Sequence, residues 1–309
     1  VLFRRIDSME TIKILSDYSE LKGKKQRFMG VPKTIDNDLP ITDHTPGYGS
    51  AAKYIASSLK EVIRDNSSFG IEKPTVVVVE IMGRHAGWLT AAAALSRGED
   101  CEGPDMIYLP ETDFDMDDFM ARVKKLSEEK SSVVIAVSEG IKLADGRFVC
   151  ELGSASDYVD AFGHKQLSGC AVVLANKIQA ELGLKSRAIE YSTLQRAATH
   201  LASLTDINEA FNAGYEACKA ADDGKTGMMV TIEVVNREPY QVTYNIYDIH
   251  AIANVERPVP AEWITKDGTD LSDEYIKYAR PLIMGELQPV MVDGLPRHLV
   301  MNKSTYRNK

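Results

Sequence analysis

The sequence contains few cysteines and no long apolar segment. Its four cysteines show no C-x-x-C spacing and are too sparse for a disulfide framework, which fits a reducing cytoplasm. No apolar run reaches the roughly 18 residues that indicate a membrane span, and the first residues lack the plan of a signal peptide. The six histidines are scattered, without metal-ligand spacing. We therefore expect a cytoplasmic protein with no membrane partner.

An excess of basic residues is also missing. The chain has 36 Lys and Arg against 45 Asp and Glu, a net charge of −9, which argues against nucleic acid as a partner. If the substrates carry phosphate groups, a local cluster of positive side chains must hold them against this overall charge. The length of 309 residues suggests about two domains.

Apolar runs alternate with amphipathic stretches, which is typical of an α/β fold with a parallel sheet. Residues 1–22 predict a helix with Ser8 as its N-cap and an apolar face that includes Met9, Ile14 and Tyr18. Further strands are predicted at residues 25–29, 74–79, 106–109, 133–137 and 225–232, and further helices over residues 50–65, 89–95, 117–130, 165–182 and 207–221.

The stretch Gly-Val-Pro-Lys-Thr-Ile-Asp-Asn-Asp (residues 30–38) follows the first predicted strand. Ligands bind beyond the carboxyl ends of strands in open α/β sheets. Lys33 can neutralise negative charge there, and a carboxylate can accept a hydroxyl proton. The alternative is an Asx-rich turn without catalytic function.

Three later segments also place polar groups after predicted strands. Met-Gly-Arg (residues 82–84) opens a helix, where an anion can bind, although glycine also serves close helix–sheet packing. Glu139 can bind sugar hydroxyls or simply cap a turn. Arg187 and Arg196 carry the planar fork that suits phosphate, although two arginines near a helix are commonly just solvated.

These motifs together resemble the phosphofructokinase family. Residues 32–38 are similar to its signature, Lys33 in place of a glycine is similar to its pyrophosphate-dependent branch, and the later motifs follow in the family's order over nearly the whole chain. The resemblance implies two parallel-sheet, three-layer α/β domains. The first, on the phosphoryl-donor side, would comprise residues 1–45 and 195–255. The second, on the sugar-phosphate side, would comprise residues 46–194 and 256–309.

The resemblance also implies a reaction, namely reversible phosphoryl transfer from pyrophosphate to the 1-hydroxyl of fructose 6-phosphate, with Mg²⁺, in a homo-oligomer (dimer or tetramer). Asp36 would accept the hydroxyl proton, Lys33 would stabilise charge on the phosphate, and Asp38 would orient or hold the metal. Asp7 and Lys33 would favour pyrophosphate over ATP. The implied substrate-binding residues are Thr34, Asp38, Met82, Gly83, Arg84, Glu139, Arg187, Thr193 and Arg196.

The amino end departs from the family pattern. Arg-Arg-Ile (residues 4–6) stands where the family has two glycines and a polar metal ligand, so the metal ligands are unknown. A strand and a glycine-rich phosphate loop precede this point in the family, so the first domain is expected to be incomplete. Two alternatives follow: an impaired fragment or paralogue that binds sugar phosphate or pairs with an intact subunit, and an ATP-dependent kinase, against which stand Lys33 and Asp7.

Overall fold

The structure is a computed structural model that describes residues 5–68, 73–153, 169–252 and 255–298. Its helices are α1 (Arg5–Leu21), α2 (Tyr48–Ser67), α3 (Trp88–Ala91), α4 (Met116–Glu129), α5 (Cys170–Leu182), α6 (Leu204–Asp222) and α7 (Asp273–Ala279). Its strands are β1 (Met29–Gly30), β2 (Thr75–Ile81), β3 (Met106–Tyr108), β4 (Ser132–Ser138), β5 (Lys185–Glu190), β6 (Met228–Arg237), β7 (Tyr240–Asp248), β8 (Met291–Val292) and β9 (Leu295–Pro296).

The larger sheet is four-stranded and entirely parallel, in the order β3-β4-β2-β5. Every residue of β2 is buried because alternate side chains enter different cores on its two faces. Val77 and Val79 pack with residues of α2 and α3, whereas Val76 and Val78 pack with residues of α4 and α5. Each such valine contributes about 1.5–3 kcal/mol by burial. The run of valines thus makes the central strand of a three-layer unit.

The smaller sheet has the order β1-β6-β7. β1 runs parallel to β6, but β6 and β7 form an antiparallel hairpin. The predicted α/β class is confirmed, with the difference that this sheet is mixed. The strands of the smaller sheet lie within the residues expected for the first domain and those of the larger sheet within the second, while the domain bounds themselves stay a prediction.

The amino-terminal part of the chain differs from expectation in two ways. Helix α1 already includes Ser8, so this residue is not its N-cap. The helix buries Met9, Ser16 and Ser19, whereas Ile14 and Tyr18 are more than half exposed, so only part of the predicted apolar face is buried. The strand expected at residues 25–29 is reduced to Met29–Gly30, which pairs with β6. Residues 165–168 of the expected fifth helix lie outside the described residues.

The start of α2 is completed by a distant carboxylate. Asp206, in α6, accepts hydrogen bonds from the backbone N–H groups of Gly47 (2.7 Å) and Ser50 (3.1 Å). Helix amino termini favour such an anion, although burial raises the pKa of this carboxyl. Gly49 is required here because a Cβ would lie 2.4 Å from the carbonyl oxygen of Leu282. Asp206 thereby ties α6 beside the smaller sheet to α2 beside the larger one.

Candidate active site

The central loop, residues 30–38, begins at the end of β1, and hydrogen bonds within and around the loop fix its backbone. Lys33 is exposed, whereas Thr34, Asp36 and Asp38 are buried. The Thr34 hydroxyl oxygen accepts a hydrogen bond from the backbone N–H of Asp36 (3.0 Å), and the Thr34 carbonyl accepts one from the hydroxyl of Thr45 (2.7 Å). The two carboxylates are therefore carried by a loop that is fixed by internal hydrogen bonds, and exposed Lys33 belongs to the same loop.

Asn37 gives this loop its turn. Its φ of 55° is left-handed, a conformation that asparagine tolerates better than most residues. The side chain is fully buried, donates to the hydroxyl of Tyr278 (2.7 Å) and accepts from the backbone N–H of Thr45 (3.0 Å). The Tyr278 hydroxyl in turn donates to the carbonyl of Asp43 (2.7 Å). Asn37 therefore locks the backbone between the two carboxylates of the loop.

Arg257 holds the same loop from outside. Its guanidinium donates to the carbonyls of Asn37, Thr42 and Asp43 at 2.6–2.9 Å. The guanidinium carbon also lies 4.7 Å from the ring centre of Trp88, a cation–π distance. One side chain thus contacts both the central loop and the start of α3.

A buried ionic network lies directly after the central loop. His44 contacts a carboxylate oxygen of Asp43 at 2.9 Å and one of Glu209 at 2.5 Å. Burial by itself would lower the pKa of His44, but the hydrogen bonds and charges of the two carboxylates raise it to about 9. Arg237 also donates to Asp43 (3.1 Å), and the hydroxyl of Tyr240 donates to Glu209 (2.8 Å). The network as a whole therefore joins α6 and the β6–β7 hairpin to the segment after the central loop.

The larger sheet brings a second loop, residues 82–87, to the carboxyl end of β2. The backbone N–H of Gly83 donates to a carboxylate oxygen of Glu139 (3.3 Å), and the backbone N–H of Glu139 donates to the carbonyl of Ile81 (2.9 Å). The hydroxyl of Ser138 donates to the carbonyl of Gly83. Met82, Gly83, Arg84 and Glu139 thus come from adjacent strand ends, as parallel pairing of β2 with β4 requires.

The close approach of the loop at residues 82–87 to the end of β4 requires glycine at two positions. Gly83 has a φ of +150°, and a Cβ on it would lie 2.8 Å from the carbonyl oxygen of Ala86. A Cβ on Gly140 would lie only 2.1 Å from the carbonyl oxygen of Arg84, well inside van der Waals contact. The backbones of the two strand ends touch directly, so neither position has room for a methyl group.

Of the two arginines singled out in the sequence, one lies within β5 and the other lies just after its end. Thr193 and Arg196 are exposed on a 3₁₀ turn just after β5. Arg187 is exposed within β5 opposite Val77, three positions before the strand ends. The structure therefore brings Arg196 to the same edge as residues 82–84 and leaves Arg187 further back on the strand beside β2.

Buried Gln195 joins the turn after β5 to the loop at residues 82–87. Its side-chain oxygen accepts from the backbone N–H of Met82 (3.3 Å) and its amide donates to the carbonyl of Ser192 (3.0 Å). Gln195 was not among the predicted site residues, although it lies beside Arg196 in the sequence. The signal that could have identified Gln195 is its position next to Arg196, since arginine is suited to binding phosphate.

Glu80 is a buried carboxyl at the end of β2. It accepts hydrogen bonds from the backbone N–H groups of Gly169 (3.2 Å) and Ala171 (2.8 Å) at the start of α5. Burial, with smaller contributions from Glu190 and Glu139, raises its pKa to about 7 in spite of those hydrogen bonds. Its contacts are those of a cap for α5, and it lies directly before the loop at residues 82–87.

Comparison with known proteins decides the family. A family model described as Phosphofructokinase matches residues 6–221. The chain belongs to the phosphofructokinase family. It is 41% identical to a pyrophosphate--fructose 6-phosphate 1-phosphotransferase from Halomonas elongata, over 98% of this chain and 71% of that protein. A relative of the same name from Methylococcus capsulatus is 40% identical, over 96% of this chain and 69% of that protein.

Solved phosphofructokinases share the fold. The chain superposes on the pyrophosphate-dependent phosphofructokinase of Nitrosospira multiformis with a TM-score of 0.84 and 38% identity, covering 95% of this chain and 69% of that one. The corresponding values for the protein of that name from Marinobacter aquaeolei are 0.83 and 35%, covering 96% and 72%. These matches confirm the family that the motifs indicated. Within the described residues, none of the helices combines the length and apolar character that crossing a bilayer requires.

Mg²⁺, which the family resemblance implies, fits the groups of the central loop. In the described part of the chain no three His, Cys, Asp or Glu side chains are grouped so that they could hold a metal by themselves. Mg²⁺ is commonly bound by one or two carboxylates together with substrate phosphates and water. Asp36 and Asp38 supply carboxylates of that kind beside exposed Lys33. The donor set therefore suits a metal that enters with a phosphate substrate.

The amino-terminal residues compared with the family pattern lie at the edge of the described residues or outside them, and two residues that contact the central loop come from a distant part of the sequence. Arg4 lies outside the described residues, and for Asp7 the structure describes only a helical backbone, without the side chain. Arg257 and Tyr278 were not among the predicted site residues, because they come from a proline-broken stretch without a recognisable motif. Both meet the central loop from more than 200 positions away in the sequence, so no local pattern could have found them.

Proposed function

We propose that the chain transfers a phosphoryl group from pyrophosphate to the 1-hydroxyl of fructose 6-phosphate, giving fructose 1,6-bisphosphate and phosphate, a reversible step of glycolysis. The observation that carries this proposal is the central loop, where exposed Lys33 stands beside two buried carboxylates at the end of a parallel strand. The names of the relatives with 36–41% identity over at least 90% of the chain support it.

Asp36 is the proposed general base. Asp36 is 5% exposed, and its backbone N–H is fixed by the hydroxyl of Thr34, so its carboxylate is positioned to accept the proton of the sugar hydroxyl. Lys33 reaches the solvent side of the same loop and stabilises charge on the phosphoryl group. Catalysis of this class consists mainly of positioning and electrostatic stabilisation, which a rigid loop supplies.

Asp38 is proposed to hold or orient Mg²⁺, with Thr34 at the substrate. When bound, the metal would neutralise charge on pyrophosphate. Asp38 is 3% exposed, and its carbonyl accepts from the backbone N–H of Arg257 (2.8 Å). The chain's own contribution is to fix this carboxylate relative to Asp36.

The loop at residues 82–87 is proposed to bind the sugar phosphate. Its glycine allows the backbone to approach a ligand closely, its arginine offers a planar fork for phosphate, and half-buried Glu139 accepts hydrogen bonds from sugar hydroxyls. The proposed binding residues of this side are Met82, Gly83, Arg84, Glu139, Arg187, Thr193 and Arg196.

The donor preference is proposed to depend on Lys33 and Asp7. Lys33 stands in place of a glycine of the family pattern, and Asp7 matches the acidic residue that takes the space of an ATP α-phosphate in pyrophosphate-dependent members. The division into a donor-side domain (residues 1–45 and 195–255) and a sugar-side domain (residues 46–194 and 256–309) remains part of the proposal. So do a cytoplasmic location and a dimeric or tetrameric assembly.

A coupled assay of fructose 1,6-bisphosphate formation tests the proposal, with Mg²⁺ and fructose 6-phosphate and with pyrophosphate or ATP as donor. We expect turnover with pyrophosphate alone. Turnover with ATP alone would refute the donor assignment. No turnover with either donor, together with a higher melting temperature in fructose 6-phosphate, would indicate an impaired chain that retains its sugar site.

Replacement of Lys33 by glycine isolates the role of the exposed amine. We expect Lys33→Gly to lower kcat with pyrophosphate by about 10²-fold or more, because a charge aimed at the reacting phosphate is lost. Lys24→Gly, at an exposed position just before β1, is the control and should leave kcat unchanged. Unaltered pyrophosphate turnover in Lys33→Gly would show that the assigned role is wrong.

A further inference from the structure

The segment that carries Arg257 lies between the central loop and the loop at residues 82–87. On one side, the guanidinium donates through Nη2 to the carbonyl of Asn37 (2.9 Å) and through Nη1 to the carbonyls of Thr42 (2.8 Å) and Asp43 (2.6 Å). The backbone N–H of Arg257 adds a hydrogen bond to the carbonyl of Asp38 (2.8 Å). Four backbone carbonyls in and just after the central loop are thus bonded to a single residue.

On the other side, the same segment is bonded to the second loop. The indole N–H of Trp88 donates to the carbonyl of Arg257 (2.9 Å), and its ring lies under the guanidinium. Two residues on, the backbone N–H of Val259 donates to a carboxylate oxygen of Glu111 (2.9 Å), and that oxygen also accepts from the backbone N–H of Gly87 (2.8 Å). The segment is therefore hydrogen-bonded directly to Trp88, and it is linked to Gly87 through the shared carboxylate oxygen of Glu111.

We propose that Arg257 is a positioning residue that sets the distance and orientation between the central loop and the loop at residues 82–87. This rests on the proposed function, in which the first loop acts on the phosphoryl group and the second binds the sugar phosphate. The planar guanidinium presents several donors in a fixed fork, so it can hold three carbonyls at one geometry. A lysine ammonium, a point charge on a flexible stem, cannot reproduce that arrangement.

The position of the contacts determines which kinetic constant depends on Arg257. The hydrogen bonds described above for its guanidinium go to backbone carbonyls, and no side chain proposed to bind either substrate is among these acceptors. Loss of the guanidinium therefore loosens the carboxylates of Asp36 and Asp38 relative to the sugar without removing a binding group. Because misplacement by about 1 Å can cost ~10²-fold in rate, kcat is expected to fall while KM changes little.

The test compares Arg257→Met and Arg257→Lys with a matched control, Arg280→Met. Arg280 is also half-buried and also donates to two carbonyls, those of Leu95 (3.0 Å) and Arg97 (3.4 Å), which lie outside both loops. Two readouts are taken on the whole chain: kcat and KM with pyrophosphate and fructose 6-phosphate, and amide hydrogen exchange of residues 34–45.

For Arg257→Met we expect kcat to fall by about 10²-fold, with KM for fructose 6-phosphate within about threefold of the original, and faster exchange in residues 34–45. Arg257→Lys should lie between this variant and the original chain. Arg280→Met should lower the melting temperature but leave kcat and the exchange of residues 34–45 unchanged.

Each result decides the proposal. If Arg257→Met retains both kcat and the slow exchange of residues 34–45, or if Arg280→Met changes them equally, the positioning role is refuted. If Arg257→Met does not fold, the same two measurements on Arg257→Lys decide. If the original chain does not turn over pyrophosphate, the proposed function fails, and the exchange of residues 34–45 alone then decides whether Arg257 positions the loop.

Discussion

The imidazolium of His44 makes the stability of the chain depend on pH between about pH 6.5 and pH 9. Its pKa is raised from 6.5 to about 9 because it lies buried between the carboxylates of Asp43 and Glu209. A group with a raised folded-state pKa contributes stability that is complete below its unfolded pKa. That contribution is lost as the pH rises through the folded pKa.

The size of this contribution follows from the shift. Each tenfold change in proton affinity is about 1.4 kcal/mol, so a rise from 6.5 to about 9 corresponds to about 3 kcal/mol of the free energy of unfolding. Since His44 is 2% exposed, solvent screening reduces this value little. The loss is expected between about pH 6.5 and pH 9, and it should be nearly complete by about pH 10.

Denaturant unfolding at a series of pH values, on the original chain and on His44→Gln, measures this effect. We expect the original chain to be more stable by several kcal/mol near pH 6, and this difference to shrink by about 3 kcal/mol towards pH 10. Other titrating groups largely cancel in the comparison. His250→Gln is the control, because His250 also contacts two carboxylates but is exposed.

A constant difference in stability between the original chain and His44→Gln across this range would refute the reasoning. It would mean that His44 is not a buried imidazolium.

Two further substitutions test the site. Asp36→Asn should lower kcat by ~10²–10⁴-fold, the usual contribution of a general base, with little change in melting temperature. Asp100→Asn, at an exposed ion pair, is its control, and a loss of less than about tenfold in steady-state kcat would contradict the assignment. Gly140→Ala should raise KM for fructose 6-phosphate and lower the melting temperature, because its Cβ would lie 2.1 Å from the carbonyl oxygen of Arg84. Gly214→Ala, inside α6, where a Cβ meets nothing within 4 Å, should leave KM unchanged and should not lower the melting temperature, because alanine is favoured over glycine within a helix. Equal behaviour of the two variants would contradict the crowding.

The sheet and its strand ends were predictable because their signals are local. The unbroken apolar runs at residues 76–79 and 133–137 predict strands buried on both faces, and these runs lie in β2 and β4. Motifs placed directly after such strands must meet at one edge of a parallel sheet. Gly83 and Glu139, which each follow such a strand, are in contact in the structure.

The supports of the central loop were not predictable in this way. His44 meets Glu209 across 165 positions, and Asn37 meets Tyr278 across 241. These contacts depend on how the chain returns, and no periodicity of 2 or 3.6 residues encodes that return. The same limit explains the error on α1, where side chains that look apolar in sequence are exposed and Ser16 and Ser19 are buried.

The carboxylate that completes the start of α2 also has a consequence for the order of events during synthesis. Asp206 is added to the chain 159 positions after Gly47, whose backbone N–H donates a hydrogen bond to the Asp206 carboxylate. At ~5–20 residues per second, about 8–30 s pass between the two additions. During that interval Asp206 cannot accept from the backbone N–H groups of Gly47 and Ser50, which donate to water instead. The half of the molecule that contains α2 therefore reaches its final form only after α6 has been translated.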